Sequence, residues 1–63
     1  MKEIEINSNE AGQRFDKFLG KYLDQAPKSF LYKMLRKKNI KYNKQKAEGK
    51  EKLKTGDTIQ FYL

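Results

Sequence analysis

Two stretches of helical periodicity, set back to back across one proline, constrain the fold of this chain more than any other feature. Phe15, Phe18, Leu19, Tyr22 and Leu23 recur at i, i+3, i+4, i+7 and i+8, which places them along one face of an α-helix. The pattern predicts a helix over residues 12–24, with Asn9 or Ser8 as its cap. Gln25-Ala26-Pro27 ends it, because the residue before a proline is pushed out of helical geometry. Pro27 can then open a second helix, where its missing N–H is no loss. That helix is expected to run from 27 to 37 or 38 and to bury Phe30, Leu31, Met34 and Leu35, which lie within about a 140° arc. Asn39, which tolerates a left-handed backbone, is expected to end it.

Neither short helix can bury its apolar face alone, and the flanking segments alternate at period two as strands do. Residues 2–6 put Ile4 and Ile6 on one face, 40–42 lead into an Asn43-Lys44 turn, and 58–63 follow a turn at 53–57. Asparagine suits the positive φ of such a hairpin turn, whereas Lys44 stands where glycine is preferred. Residues 45–52 read as a loop with a short strand near 46–48. The expected fold class is α+β: two helices packed on a small antiparallel sheet. Residues 1–63 are expected to form a single domain, and the abrupt end inside an apolar strand gives the expectation of a domain excised from a longer protein.

A chain of 63 residues buries only about 60% of its unfolded surface. It has no cysteine to cross-link a small core and no Cys/His set for a structural metal. No apolar run approaches the roughly 20 residues that span a bilayer, and the N-terminus lacks the apolar core of a signal peptide. A monomer in the cytoplasm, away from membranes, is the expectation. Histidine is absent and the acidic residues are scattered, so no pair is set for general acid–base work. Neither catalysis by this chain nor a cofactor or metal is expected.

Charge then narrows the function. Residues 28–54 carry eleven basic side chains against Glu48 and Glu51, a local excess of nine within a chain of net charge +7. Along the first expected helix Arg14, Lys17 and Lys21 follow i, i+3, i+7; along the second, Ser29, Lys33 and Arg36 follow i, i+4, i+7 and likewise share one face. Two adjoining basic stripes beside the Asn43-Lys44 turn would present cations and hydroxyl or amide donors along one path, as a phosphate backbone requires. Lysines also coat helices simply for solubility, and basic patches also serve acidic membranes and protein partners. Tyr32 and Tyr42 are candidates for base stacking or for partial burial. Asp16 has no i, i+4 partner, since Gly20 occupies that position, and is expected to brace a cation of the other helix.

The segments "GQRFDKFL" (12–19), "PKSFLYKMLRKKNIKYNK" (27–44) and "LKTGDTI" (53–59) resemble, in order and spacing, the S-four RNA-binding domain with its helix–helix–strand motif. "PKS", "LYKMLRK" and "YNK" are similar to one branch, the N-terminal domain of bacterial large-subunit ribosomal RNA pseudouridine synthases of the C type. The resemblance implies docking of structured ribosomal RNA on behalf of a tethered catalytic domain. That domain would carry an essential aspartate in a His-Arg-Leu-Asp motif, which this chain lacks. The alternative is a stand-alone S-four protein acting on ribosomes or tRNA. The resemblance implies RNA contact by Arg14, Lys17, Lys28, Ser29, Lys33, Arg36, Lys37, Asn43 and Lys44. Lys38, where the family often has glycine, adds a further cation on that side.

Overall fold

The computed structural model describes residues 1–62. Its elements are β1 (Lys2–Glu5), α1 (Phe15–Tyr22), α2 (Lys28–Arg36), β2 (Ile40–Tyr42), β3 (Gln45–Lys46) and β4 (Thr58–Phe61). The strands form one sheet in the order β1-β4-β2-β3, with each neighbouring pair antiparallel. The last strand, β4, is an interior strand flanked by β1 and β2, and its Ile59, Gln60 and Phe61 are all buried. Ile59 lies between Ile4 and Tyr42 in the register, and Phe61 lies between Lys2 and Ile40. Ile40, Ile59 and Phe61 join Phe15, Phe18 and Leu19 of α1 and Leu31, Met34 and Leu35 of α2 in one buried cluster. This is the α+β arrangement that the periodicities predict. Leu63, the end of the expected final strand, lies outside the described residues. Among the described residues, no helix is long and apolar enough to cross a membrane.

α1 is shorter than expected at both ends. The stretch before it is held by long-range backbone bonds: Gly12 N–H donates to Leu53 O, Phe15 to Glu51 O and Asp16 to Gly49 O, each at 2.8 Å. The first N–H groups of α1 are therefore satisfied by the 49–53 segment rather than by a cap, and Arg14 occupies the cap position with no side-chain bond to a helix N–H. Asn7, not Ser8 or Asn9, is the capping residue of the region. Its Oδ1 accepts from Asn9 and Glu10 N–H at 2.9 and 3.2 Å, while Glu10 Oε1 accepts from Asn7 N–H. That reciprocal pair is a capping box built on a turn. The expected strand near 46–48 falls at Gln45–Lys46 instead, and Ala47 and Leu53 on either side of the loop are buried.

Two predicted core residues are only partly covered. Phe30 is 38% exposed, and Tyr22 is 37% exposed. Tyr22 stacks between Phe18 and Phe61 with ring centroids at 5.7 and 5.3 Å. Burial of Leu31, Met34 and Leu35 already seats α2, so Phe30, at the edge of the apolar arc, is left at the surface.

The far face of the sheet contains a buried polar residue. Gln60 is 1% exposed, and its amide is fully engaged. Oε1 accepts from Lys44 N–H at 2.7 Å, and Nε2 donates to Glu3 Oε2 at 2.6 Å and Thr58 Oγ1 at 2.9 Å. Gln60 thereby ties the β2–β3 hairpin tip to β1 across the sheet.

The left-handed residue that ends α2 is Lys38 (φ 65°), not Asn39. Asn39 N–H donates to Met34 O and Lys38 N–H to Leu35 O, the paired bonds of a Schellman ending. A side chain in this conformation costs about 1–2 kcal/mol, partly offset because glycine frees the unfolded chain by about 0.4–1 kcal/mol. Lys38→Gly should therefore raise stability by about 0.5–1 kcal/mol, seen in a thermal melt as a rise of a few degrees. A lower melting temperature would mean that the lysine side chain contributes packing of its own.

Candidate nucleic-acid interface

α2 carries no carboxylate. Ser29, Lys33 and Arg36 fall along its outer face, and all three are exposed. With Phe30 and Tyr32 they line an open groove of about 570 Å³. At 100° per residue, Phe30 and Tyr32 flank the Ser29–Lys33–Arg36 strip on opposite sides, about 160° apart. Lys28 is the first residue of α2, Lys37 its C-cap and Lys38 the residue after it, each exposed. The three cations near the helix end, Arg36, Lys37 and Lys38, sit where the helix dipole favours positive charge.

The entry to α1 is fastened to this face. Asp16 Oδ2 accepts from Tyr32 Oη at 2.6 Å, and its carboxylate accepts from Arg14 Nε and Nη2, both at 3.2 Å. Asp16 thus braces a tyrosine of the other helix, and its cation is the local Arg14; the expected cation across the helix pair is not its partner. The Tyr32 hydroxyl, then the Lys17 N–H and the Arg14 charge, hold the Asp16 carboxyl below its ordinary value, and the Tyr32 bond raises the Tyr32 phenol. Gly49 (φ 105°) closes the junction: a Cβ there would stand 3.1 Å from Tyr32 Cε1 and 3.3 Å from Leu35 Cδ1. Tyr32 is consequently held with its hydroxyl occupied, the residue as a whole 39% exposed.

Arg14 therefore does not share a helical stripe with Lys17 and Lys21, as the spacing suggested. It precedes α1 in extended conformation, with the guanidinium turned to Asp16 and the side chain 62% exposed. Lys17 and Lys21 are exposed on α1 itself. Only two ion pairs occur among the described residues, Arg14–Asp16 and Lys50–Glu48. The cations of α2 thus face solvent with no carboxylate neutralising them.

The hairpin is built for display but is anchored by its own polar groups. Asn43 (φ 52°) and Lys44 (φ 65°) both adopt left-handed backbone, the signature of a type I′ turn. The Asn43 side chain is engaged inward: Oδ1 accepts from Thr58 N–H at 2.9 Å and Nδ2 donates to Asp57 Oδ1 at 3.3 Å. Asn43 holds the turn, and Lys44 is the exposed cation at its tip. Asp57 Oδ2 also accepts from the Tyr42 hydroxyl and from Lys54 N–H. Burial, then the Asp57 carboxylate, pushes the Tyr42 phenol up to about 12. The Tyr42 hydroxyl and the Asn43 amide hold Asp57 below the usual carboxylate range. Since the Tyr42 ring also packs on Phe15 at 5.2 Å, this tyrosine is an anchor of the hairpin.

Sequence reasoning missed Lys46, an exposed cation of β3. It lines a second groove with Tyr32, Arg36 and Glu48, so it extends the α2 strip onto the sheet edge. Its signal was the hairpin register, which pairs Lys46 with Lys41. Phe30 was also missed, having been assigned to the core.

No family model matches the chain, and no solved structure matches it. Among curated proteins the chain matches the N-terminal region of ribosomal large subunit pseudouridine synthases C. It is 40% identical to that of Escherichia coli K12 over 61 residues, covering 97% of this chain and 19% of the relative. The figures are the same for Salmonella typhi, and the identity is 39% over 58 residues for Vibrio parahaemolyticus, covering 92% and 18%. The chain therefore spans about a fifth of the length of the curated relatives it matches.

Proposed function

We propose that this chain is a non-catalytic RNA-docking unit of the S-four type, serving a large-subunit ribosomal RNA pseudouridine synthase in the cytoplasm. The observation that carries the reading is the unneutralised strip Ser29–Lys33–Arg36 on α2, extended on its Tyr32 side toward Arg14 and Lys46. Long cations with a hydroxyl between them suit successive phosphates of one backbone, and they position the RNA without reading its bases. Lys17, Lys28, Lys37, Lys38 and Lys44 raise the local positive potential and speed encounter. The similarity to enzymes named for large-subunit pseudouridine synthesis supports ribosomal RNA over other polyanions. Isomerisation of uridine is assigned to the remaining four-fifths of a protein of the relatives' length.

A competition experiment tests the choice of RNA. Labelled large-subunit rRNA transcript bound to the chain should be displaced by unlabelled large-subunit transcript at lower concentration than by tRNA or duplex DNA. Equal displacement by all three polyanions would reduce the unit to a generic cationic surface.

A further inference from the structure

Phe30 stands where two grooves of opposite character meet. On one side is the cationic groove of Ser29, Lys33 and Arg36. On the other is a groove of about 470 Å³ between the end of α1 and the start of α2, with Tyr22, Leu23 and Pro27 among its walls and Asp24 and Gln25 at its polar edge. That volume falls within the range of small-ligand sites. The Tyr22 ring is fixed there by its stack with Phe18 and Phe61, so the wall is rigid before any ligand arrives. A nucleotide has this same division, an anionic phosphate at one end and a flat base with apolar faces at the other.

We infer that the junction of α1 and α2 takes one unpaired, extruded RNA base, stacked on Phe30 in the Tyr22–Pro27 groove with its phosphate on Ser29 and Lys33. The inference rests on the RNA-docking reading and makes the ligand specific: RNA with a bulged or looped-out nucleotide, in preference to a continuous duplex. Charge complementarity selects the occupant, because the cationic strip adjoins this apolar groove at Phe30 and α2 has no carboxylate to repel a phosphate. Phe30 serves better than Tyr42, whose ring packs on Phe15, and than Tyr32, which does not line the apolar groove. Stacking of a base on an aromatic ring is sequence-tolerant, since every base offers a π-face.

The test uses two RNA hairpins of one sequence, one fully paired and one with a single bulged 4-thiouridine. Wild-type protein should bind the bulged hairpin roughly tenfold more tightly, within the range of one base stacked on one aromatic ring, and irradiation should crosslink the thiouridine within residues 22–30. Phe30→Leu, which keeps apolar bulk but removes the ring, should abolish the preference, so that the variant binds the bulged hairpin no more tightly than the paired one. Equal binding of both hairpins by wild-type protein, or an undiminished preference in Phe30→Leu, would overturn the stacking site while leaving RNA docking intact. Failure to bind either hairpin would overturn the docking reading as well.

Discussion

Reversing two charges on α2, Lys33→Glu with Arg36→Glu, should lower affinity for large-subunit rRNA by roughly a hundredfold or more. Each cation is expected to make a charge-assisted bond to phosphate, and such bonds contribute about 1.5–3 kcal/mol. Two lost bonds therefore predict a loss of about 3–6 kcal/mol, before repulsion from the new carboxylates is counted. Neither side chain enters the core, which α2 reaches through Leu31, Met34 and Leu35. The fold is taxed only where a carboxylate meets the negative end of the helix dipole, at about 0.3–1 kcal/mol per residue. Lys33→Gln with Arg36→Gln removes that penalty and should still weaken binding by at least tenfold. The measurement is fluorescence anisotropy, with circular dichroism confirming the helices. Wild-type affinity in both double variants would remove α2 from the interface.

The second large effect is on stability. Asp57→Ala removes at one stroke the carboxylate that accepts from the Tyr42 hydroxyl, the Lys54 N–H and the Asn43 amide, leaving the hydroxyl only the longer contact to Lys52 O at 3.4 Å. A domain of this size has only about 3–9 kcal/mol of stability in all. Losing a shared carboxylate acceptor should cost about 2–4 kcal/mol, lowering the melting temperature by more than about 10 °C. The same carboxylate makes the fold acid-sensitive. Asp57 and Asp16 are both held below their ordinary values in the folded chain, by the hydroxyls of Tyr42 and Tyr32 respectively. For Glu51, burial works in the opposite sense, but the backbone N–H groups of residues 48 and 49 outweigh it, and its value is also lowered. A carboxylate lowered on folding stabilises the fold above its unfolded value, near pH 4 (about 3.9 for Asp and 4.3 for Glu). That contribution is lost as pH falls through the lower folded values. Stability should accordingly drop in acid, and Asp57→Asn should blunt the drop. A melting temperature unchanged in Asp57→Ala would show that the hairpin is held by the sheet alone.

Much of this architecture is legible because local signals and global packing agree. The i, i+3, i+4 spacing of Phe15, Phe18 and Leu19 and the paired Leu31/Met34/Leu35 face are sufficient to place both helices. Asn43-Lys44 marks the hairpin despite the absence of glycine. What escaped local reading depends on distant partners. Residues 12–14 continue no helix because Gly12 and Gln13 exchange backbone bonds with Leu53, and Arg14 bridges Lys52; no period along the chain encodes that pairing. The weakly patterned 47–52 stretch is a loop, but local pattern does not reveal that its Glu51 carboxylate accepts from the N–H groups of Glu48 and Gly49. Lys38 in place of Asn39 at the helix end is a register choice of one residue, which either side chain permits. At the candidate site, the outer strip of α2 follows from spacing alone. Arg14's turn toward Asp16, Lys46's approach to Arg36 and the exposure of Phe30 follow only from how the elements are stacked.

Cations from α1's entry, α2 and the hairpin are expected to act on a single RNA. The dependence of log K on log salt measures this directly, for wild-type protein and for Arg14→Gln, Arg36→Gln and Lys44→Gln in turn. About five neutralised phosphates predict a wild-type slope of roughly −3.5 to −4.5, and each substitution should make it shallower by about 0.7–0.9. A wild-type slope near zero, or three substitutions that leave it unchanged, would contradict a shared phosphate-binding surface.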